Sequence, residues 1–270
     1  DYRIAAQYHV NDDVMVFASA ATGFISGGID GATGNLLDPS TTDSYEVGVK
    51  TTLMDGAMTL NATAYTAEYT GLSTSQLIAN SSGVFISQQV LGGGIEANGL
   101  EAEMNWQAAD NLNVRAGLAF DFSEFTEFNK QNIYTENGGL PTEIAGDGSE
   151  FYILNGMDSP YSPDMTANLG VTYQMDLGES GYVVPGIFLY HSDAFQTNSV
   201  PYFWSTQDAY TTMDISATWY SLSDDFTVQA YINNVSDEVI ITGSDTFSGS
   251  RAVVDYNNPR TWGLRAAYNF

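Results

Sequence analysis

Polar and apolar residues alternate with a period of two wherever the chain is regular. Tyr2, Ile4, Ala6, Tyr8 and Val10 take turns with Arg3, Ala5, Gln7 and His9, and that period places the two sets on opposite faces of an extended strand. The alternation returns in Tyr45, Val47 and Val49 against Glu46, Gly48 and Lys50, and in Leu60, Ala62 and Ala64 against Thr59, Asn61 and Thr63. It recurs in Leu169, Val171, Tyr173 and Met175, and ends the chain in Trp262, Leu264, Ala266, Tyr268 and Phe270 against Gly263, Arg265, Ala267 and Asn269. One strand per periodic segment predicts about eleven strands. They fall near 2–10, 14–24, 43–53, 57–70, 95–107, 112–125, 164–175, 182–193, 209–221, 226–236 and 259–270.

Tight polar turns and long polar loops alternate between these segments. The tight set is Asn11-Asp12-Asp13, Met54-Asp55-Gly56, Ala109-Asp110-Asn111, Asp176 to Gly181, and Ser223-Asp224-Asp225. The long set covers 25–43, 71–94, 126–162, 194–208 and 237–258. Short turns on one side and long loops on the other are the pattern of an outer-membrane β-barrel, whereas a soluble sandwich has no reason to segregate them. Strands of about nine to fourteen residues suit a tilted membrane crossing, and no run reaches the ~18 apolar residues of a membrane helix. The expected fold class is all-β: an antiparallel, up-and-down transmembrane β-barrel segment. Single-chain bacterial barrels have an even strand number. Either one strand is miscounted, or the chain is the C-terminal part of a larger barrel.

Composition narrows the function classes. The chain has 270 residues and a net charge of −26, which argues against nucleic acid as a partner. Charged residues are 15% and aromatics 13%, a charge-poor, aromatic-rich balance unlike an ordinary soluble domain. Cysteine is absent, and His9 and His191 are the only imidazoles, so no disulfide, zinc, haem or other cofactor site is expected. The opening Asp-Tyr-Arg-Ile lacks the basic start and apolar stretch of a secretory signal. Either a signal has been removed or the N-terminus lies upstream.

Several local motifs occur in a telling order. Phe17-Ala18-Ser19-Ala20-Ala21-Thr22-Gly23-Phe24 runs on to Gly27-Gly28-Ile29-Asp30, and Ser44-Tyr45-Glu46-Val47-Gly48-Val49-Lys50 follows. Then come Asp55-Gly56, Leu60-Asn61-Ala62, Gly99-Leu100-Glu101-Ala102-Glu103, Tyr231-Ile232-Asn233-Asn234-Val235-Ser236-Asp237, and Pro259-Arg260-Thr261-Trp262-Gly263. This series resembles the C-terminal half of a TonB-dependent outer-membrane receptor over essentially the whole chain. The resemblance implies a 22-stranded, plugged barrel, with residues 1–270 as the C-terminal part and with the plug and first half of the barrel absent. It implies the bacterial outer membrane as location and uptake of a scarce nutrient, a ferric siderophore first, as activity. Cobalamin, haem and oligosaccharide importers share the same wall. Its partners would be outer-membrane lipid and lipopolysaccharide, TonB through the plug segment, the barrel-assembly machinery and a small-molecule ligand. The alternative is a passive, porin-like or small self-contained barrel.

The last strand, Thr261, Gly263, Ala266, Tyr268 and Phe270, reads as the assembly signal for insertion by strand addition, although any lipid-facing strand would show its apolar stripe. Tyr8, Tyr45, Tyr65, Tyr173, Tyr190, Trp219, Tyr231 and Tyr268 are candidates for interfacial girdles. In the loops, Tyr134, Phe151, Tyr152, Tyr161, Tyr202, Phe203 and Trp204 could contact a ligand at the mouth or pack on one another. Acidic loop residues such as Asp147, Glu150, Asp158, Asp193, Asp208, Asp237, Glu238 and Asp245 suit a divalent cation or a merely solvated surface. Tyr190-His191-Ser192-Asp193 invites a hydrolase reading, but neighbours on a strand point to opposite faces and no enzyme is expected. Gly92-Gly93-Gly94 precedes a strand rather than a helix, so it relieves crowding at a loop base and does not cradle phosphate.

Overall fold

The computed structural model describes residues 1–31, 34–79, 85–91, 93–126, 128–131, 142–144, 150–202, 204–247 and 251–269. Eleven strands lie side by side in chain order, each antiparallel to the one before. They are β1 (Arg3–Asn11), β2 (Val14–Ile25), β3 (Ser40–Leu53), β4 (Met58–Thr70), β5 (Ile95–Ala109) and β6 (Leu112–Phe125). β7 (Met165–Tyr173), β8 (Tyr182–Ser192), β9 (Tyr210–Tyr220), β10 (Phe226–Asn233) and β11 (Thr261–Tyr268) complete the path. Each expected segment holds one strand, with ends displaced by no more than 3 residues. Met175–Asp176 adds a short extension against β8. Among the described residues there is no α-helix, only the 3-10 turn Gly178–Ser180. The sheet is unclosed: β1 pairs only with β2, and β11 only with β10.

The short connections are turns built by side chains that satisfy the backbone locally. The Asn11 carboxamide oxygen accepts the Asp13 N–H at 2.9 Å, and the Asp176 carboxylate accepts the Gly178 N–H at 2.8 Å, the hydrogen bonds of Asx turns. Met54 and Asp55 take φ of 54° and 53° in the connection between Leu53 and Met58, where the Gly56 N–H donates to the Leu53 carbonyl at 3.2 Å, the left-handed pair of a type I′ turn. The long connections, expected as polar loops, contain further strands. They carry hairpins of their own, at Gly28–Ile29 with Leu36–Leu37, Ser73–Ala79 with Phe85–Leu91, Phe195–Gln196 with Thr206–Gln207, and Ile241–Phe247 with Arg251–Tyr256.

Register converts the alternation into two faces. One cross-strand row reads Ala18, Val47, Ala64, Leu100, Phe120 and Met165, and this convex face is apolar. Val47 is 58% exposed and Leu264 76%, a degree of apolar exposure that suits lipid and not water. Aromatic residues mark both edges of this band. Tyr8, Tyr173, Trp219 and Tyr268 sit toward the short turns, and Tyr45, Phe122 and Trp262 toward the long loops. Of the expected girdle residues, Tyr65, Tyr190 and Tyr231 lie instead on the concave face, because each is one residue out of phase with its strand's apolar set.

One convex row breaks the pattern. Asp43 lies opposite Glu68, Glu68 opposite Glu96, and Glu96 opposite Glu124, so four exposed carboxylates stand shoulder to shoulder across β3 to β6. Like charges directly opposite each other oppose pairing. The row sits one rung above Tyr45 and Phe122, on the side of the long loops.

The concave face is tightened by glycines lying beneath aromatic rings of the neighbouring strand. Gly48 is paired with Phe17, Gly99 with Tyr65, Gly170 with Phe188, and Gly263 with Tyr231. A Cβ on Gly99 would stand 2.3 Å from the Tyr65 ring. That ring passes over β5 to donate a 3.0 Å hydrogen bond from its hydroxyl to Asp121 on β6, whose other oxygen accepts from Ser162 at 2.7 Å. Filling Gly99 by Gly99→Val should displace the ring, break that bond and cost about 1–3 kcal/mol, the usual range for overpacking. Tyr65→Phe, which removes only the bond, should cost about 1 kcal/mol. Midpoints of heat-modifiable gel migration would rank the two variants, and equal midpoints for wild type and Gly99→Val would remove the close approach from the account.

Candidate functional site

Because alternate residues of each strand face inward, the concave wall collects polar groups from every strand in turn. Four of the 7 basic residues, Arg3, Lys50, Arg115 and Arg265, stand on it. So do Glu46, Glu101, Glu103, Asp121 and Asp214. Arg3 and Glu46 approach to 3.9 Å with side chains 68% and 41% exposed, a solvated pair contributing little. Lys50 rests 5.7 Å above the Phe17 ring and Arg265 6.0 Å above that of Tyr231. Asp214 accepts the Asn234 N–H at 2.8 Å. Across β6 to β11 the wall curves around a groove of about 620 Å³.

Above the wall, two long loops pack into a core of their own. Phe125, Phe128, Tyr152, Leu154, Val200 and Tyr202 are buried together, with Ile95, Met157 and Trp204 against them. Phe125 stacks on Phe128 at 4.8 Å and Tyr202 on Trp204 at 4.6 Å. Buried Gly93 seats this cluster: a Cβ there would lie 3.1 Å from Phe128 and 3.2 Å from Leu72, so this one glycine of the run sits at a crowded loop base. Gly92 lies outside the described residues.

The Asn-Asn-Val-Ser-Asp segment locks the base of the last loop. Asn234, at φ 52°, donates to the Glu238 carbonyl at 2.8 Å and accepts the Glu238 N–H at 2.9 Å. Asp237, at φ 59°, accepts the Arg260 N–H at 2.7 Å, and Arg260 donates to the Val235 carbonyl at 3.2 Å. His191 bonds Thr211 at 2.8 Å and lies 3.5 Å from Asp193, while buried Ser192 points to the other face and donates to the Asp193 carbonyl. No Ser–His pair forms. Among the described residues, no group of three or more His, Asp or Glu is placed to hold a metal ion.

The segment is thus an unclosed meander with an apolar outside, a charged inside and a loop core on one rim. The model of the TonB dependent receptor-like β-barrel family matches residues 1–235. The chain belongs to the TonB-dependent receptors. Members of this family are bacterial outer-membrane proteins, so the convex face of this receptor segment is its lipid side. The ferric yersiniabactin uptake receptor FyuA of Yersinia pestis matches 99% of the chain with a TM-score of 0.77 at 19% identity, over 37% of its own length. The siderophore receptor PiuA of Acinetobacter baumannii gives a TM-score of 0.71 at 18% identity, over 98% of this chain and 35% of its own. For the ferric-catecholate import receptor Fiu of Escherichia coli K12 the figures are 0.66 and 16%, over 99% and 34%. The TonB-dependent receptor segment thus spans about a third of these receptors' length.

Of the loop residues singled out as possible ligand contacts, Tyr152 is fully buried and Tyr202 is 8% exposed, both inside the loop core. Trp204 is half-buried on its edge. Tyr161, at φ 61° and 54% exposed, stands apart with its ring 6.1 Å from Phe195. Tyr134 lies outside the described residues, as do Phe203, Asp147 and Phe270. Thr261 and Gly263 face inward, and Ala266 and Tyr268 face lipid. Sequence reasoning passed over Arg115, Arg265 and Asp121; strand parity alone would have placed all three on the inner face.

Two outcomes test the loop cap. Leu154→Ala should cost about 2–5 kcal/mol of local stability, as truncation of a buried leucine does. Hydrogen exchange should then speed up in both loops together; acceleration in one loop alone would refute a shared core. Asp164 is held above the ordinary carboxylate range, by burial first and then by the charges of Asp158, Asp193 and Asp121. A carboxyl that binds its proton more tightly when folded weakens the fold once ionised; the loss is complete above its folded pKa and relieved as pH falls through it toward the unfolded value. Asp164→Asn should therefore slow exchange around residues 157–165 at about pH 7 and change little at about pH 3.

Proposed function

We propose that this segment forms the C-terminal half of the wall of a 22-stranded receptor whose remaining strands and plug belong to a longer chain, and that the whole imports a ferric siderophore by TonB-dependent transport. The observation that carries the reading is an unfinished wall with an unfinished inside. Strands β1 and β11 each leave one edge unpaired, and an unpaired edge is not tolerated in hydrocarbon. Among the described residues, no side-chain hydrogen bond or ion pair joins the charged groups of Glu101, Glu103 or Arg115 to the segment. Charges left in this way on the inner face suit a wall covered by another domain. The siderophore reading draws its support from the receptors that share the fold. FyuA takes up ferric yersiniabactin and PiuA is a siderophore receptor.

Tyr161 and Trp204 are the proposed ligand contacts of this half, since Tyr152 and Tyr202 are occupied in the loop core. Thr261, Gly263, Ala266, Tyr268 and Phe270 are the proposed signal for the barrel-assembly machinery, and lipopolysaccharide the proposed lipid partner of the outer rim. The test is uptake of radioactive iron supplied as ferric siderophores to cells that carry the complete receptor, with and without TonB. Accumulation only where TonB is present is the expected result, and equal accumulation without it would make the barrel passive. Tyr268→Ala combined with Phe270→Ala should lower the outer-membrane level of the receptor severalfold. An unchanged level would leave the terminal stripe as a lipid-facing strand and nothing more.

A further inference from the structure

We infer that the described parts of the loops 126–162, 194–208 and 237–258 form one preassembled body, continuous with the wall, that keeps its internal arrangement while a ligand binds and passes. It is the fixed jaw of the mouth. The inference rests on the uptake reading above and adds to it which part of the mouth stays still.

The hairpin of Phe195–Gln196 with Thr206–Gln207 is the keystone, because it is buried against a neighbour on either side. To loop 126–162 it offers Val200 and Tyr202, which lie in the core with Phe128, Tyr152 and Leu154. The Tyr161 N–H also donates to the Gln196 carbonyl at 2.8 Å, and its ring leans on Phe195. To loop 237–258 the hairpin offers Thr197 and Gln207, both buried. The Thr197 and Ser244 hydroxyls meet at 2.5 Å, and the Gln207 carboxamide oxygen accepts the Ile241 N–H at 2.6 Å. Fully buried Ser205 braces the hairpin itself by donating to the Tyr202 carbonyl at 2.9 Å. One flank is thus apolar and the other polar, and each is matched by a different loop.

The same body is stapled to the end of β6. The Gly156 N–H donates to the Phe125 carbonyl at 2.7 Å, and the Phe125 N–H to the Met157 carbonyl at 2.9 Å. The Ser159 N–H donates to the Ser123 carbonyl at 2.8 Å, and the two hydroxyls meet at 2.7 Å. Moving one loop past another would uncover Val200 and Tyr202 and strip Gln207 and the Ile241 N–H of their partners, and a buried polar group left unpaired is costly. Close-packed groups of this kind do not bend continuously. The 25–43 hairpin is built otherwise. Its Ile29 and Leu36 are 67% and 80% exposed, and among the described residues none of its side chains enters the loop core. Closure over a bound chelate, in a receptor built on this wall, therefore falls to parts outside the three loops.

The experiment uses the complete receptor, in vesicles for hydrogen exchange and in cells for uptake. Three amides of the unaltered protein report the joints: Tyr161, Thr197 and Ile241, bonded to Gln196, Ser205 and Gln207 in turn. Opening as one unit should give them protection factors within about threefold of one another, with the amides of 25–43 exchanging independently. Q207A, which removes the polar joint, should lower protection at Tyr161 and Thr197 by the same factor, about tenfold. Loss confined to loop 237–258 overturns the proposal. The second arm is T197C/S244C, whose sulfur atoms would stand where the two hydroxyls already touch, so a disulfide should form on oxidation. The probes are radioactive iron(III) as a tripodal tris-catecholate and as a trihydroxamate chelate. Oxidised and reduced cells should accumulate iron to within about twofold, since a link between groups that never part shifts no equilibrium. Cysteines that do not join, or uptake that stops on oxidation and returns on reduction, overturn the proposal. If neither chelate is taken up in any form, the uptake reading falls, and the exchange rates alone decide whether the loops are one body.

Discussion

The wall depends on one requirement: within hydrocarbon, each backbone N–H and C=O must find its partner inside the protein. Antiparallel pairing between chain neighbours meets it with the shortest connections, and the order β1 to β11 follows without a crossover. The same requirement fixes what the two faces do. Pairing consumes the backbone laterally, so every side chain is left to point either to lipid or to the lumen, and a one-residue slip of any strand would exchange them. It also forbids the sheet from ending in lipid. Within the eleven strands the requirement is met everywhere except along the outer edges of β1 and β11.

The inner face solves a second problem, that of bringing bulky polar groups close without spreading the strands. Glycines opposite Phe17, Tyr65 and Tyr231 let each ring lie flat on the neighbouring strand. Flattened rings keep the lumen clear while shielding the ladder beneath them. Above the membrane the physics changes, because water is available and a globular core becomes profitable. Phe125 at the end of β6 belongs to both regimes: it closes the wall and begins the loop core with Phe128, Leu154 and Val200.

All eleven wall strands were legible in the sequence, since a strand buried on one side and wet on the other writes a period of two. The turns were legible for a similar reason, their Asn, Asp and Gly residues bonding locally. Less was visible in the loops. Ser73 to Ala79 forms a hairpin arm with no apolar period to betray it, and Tyr152 reads the same whether it is exposed or fully buried. The placing of Tyr65, Tyr190 and Tyr231 was available from parity, but aromatic identity drew the reading toward the membrane interface. Cross-strand features were beyond reach. Gly99 beneath Tyr65, or Asp43 beside Glu68, requires the register between strands, and long loops conceal it. The inner arginines were present in the alternation and lacked only a partner to give them meaning.

The carboxylate row of β3 to β6 bears on where the receptor floats. Acyl chains cannot rise past Asp43, Glu68, Glu96 and Glu124 without stripping water from four neighbouring charges, so this rung acts as a waterline drawn on one flank of the barrel. Below it the apolar rungs descend to Leu53 and Met58 beside the short turns. The depth of immersion on this flank is thereby set by position in the strand and not by the thickness of the surrounding lipid, and a thicker bilayer would have to thin or the barrel to tilt around that mark.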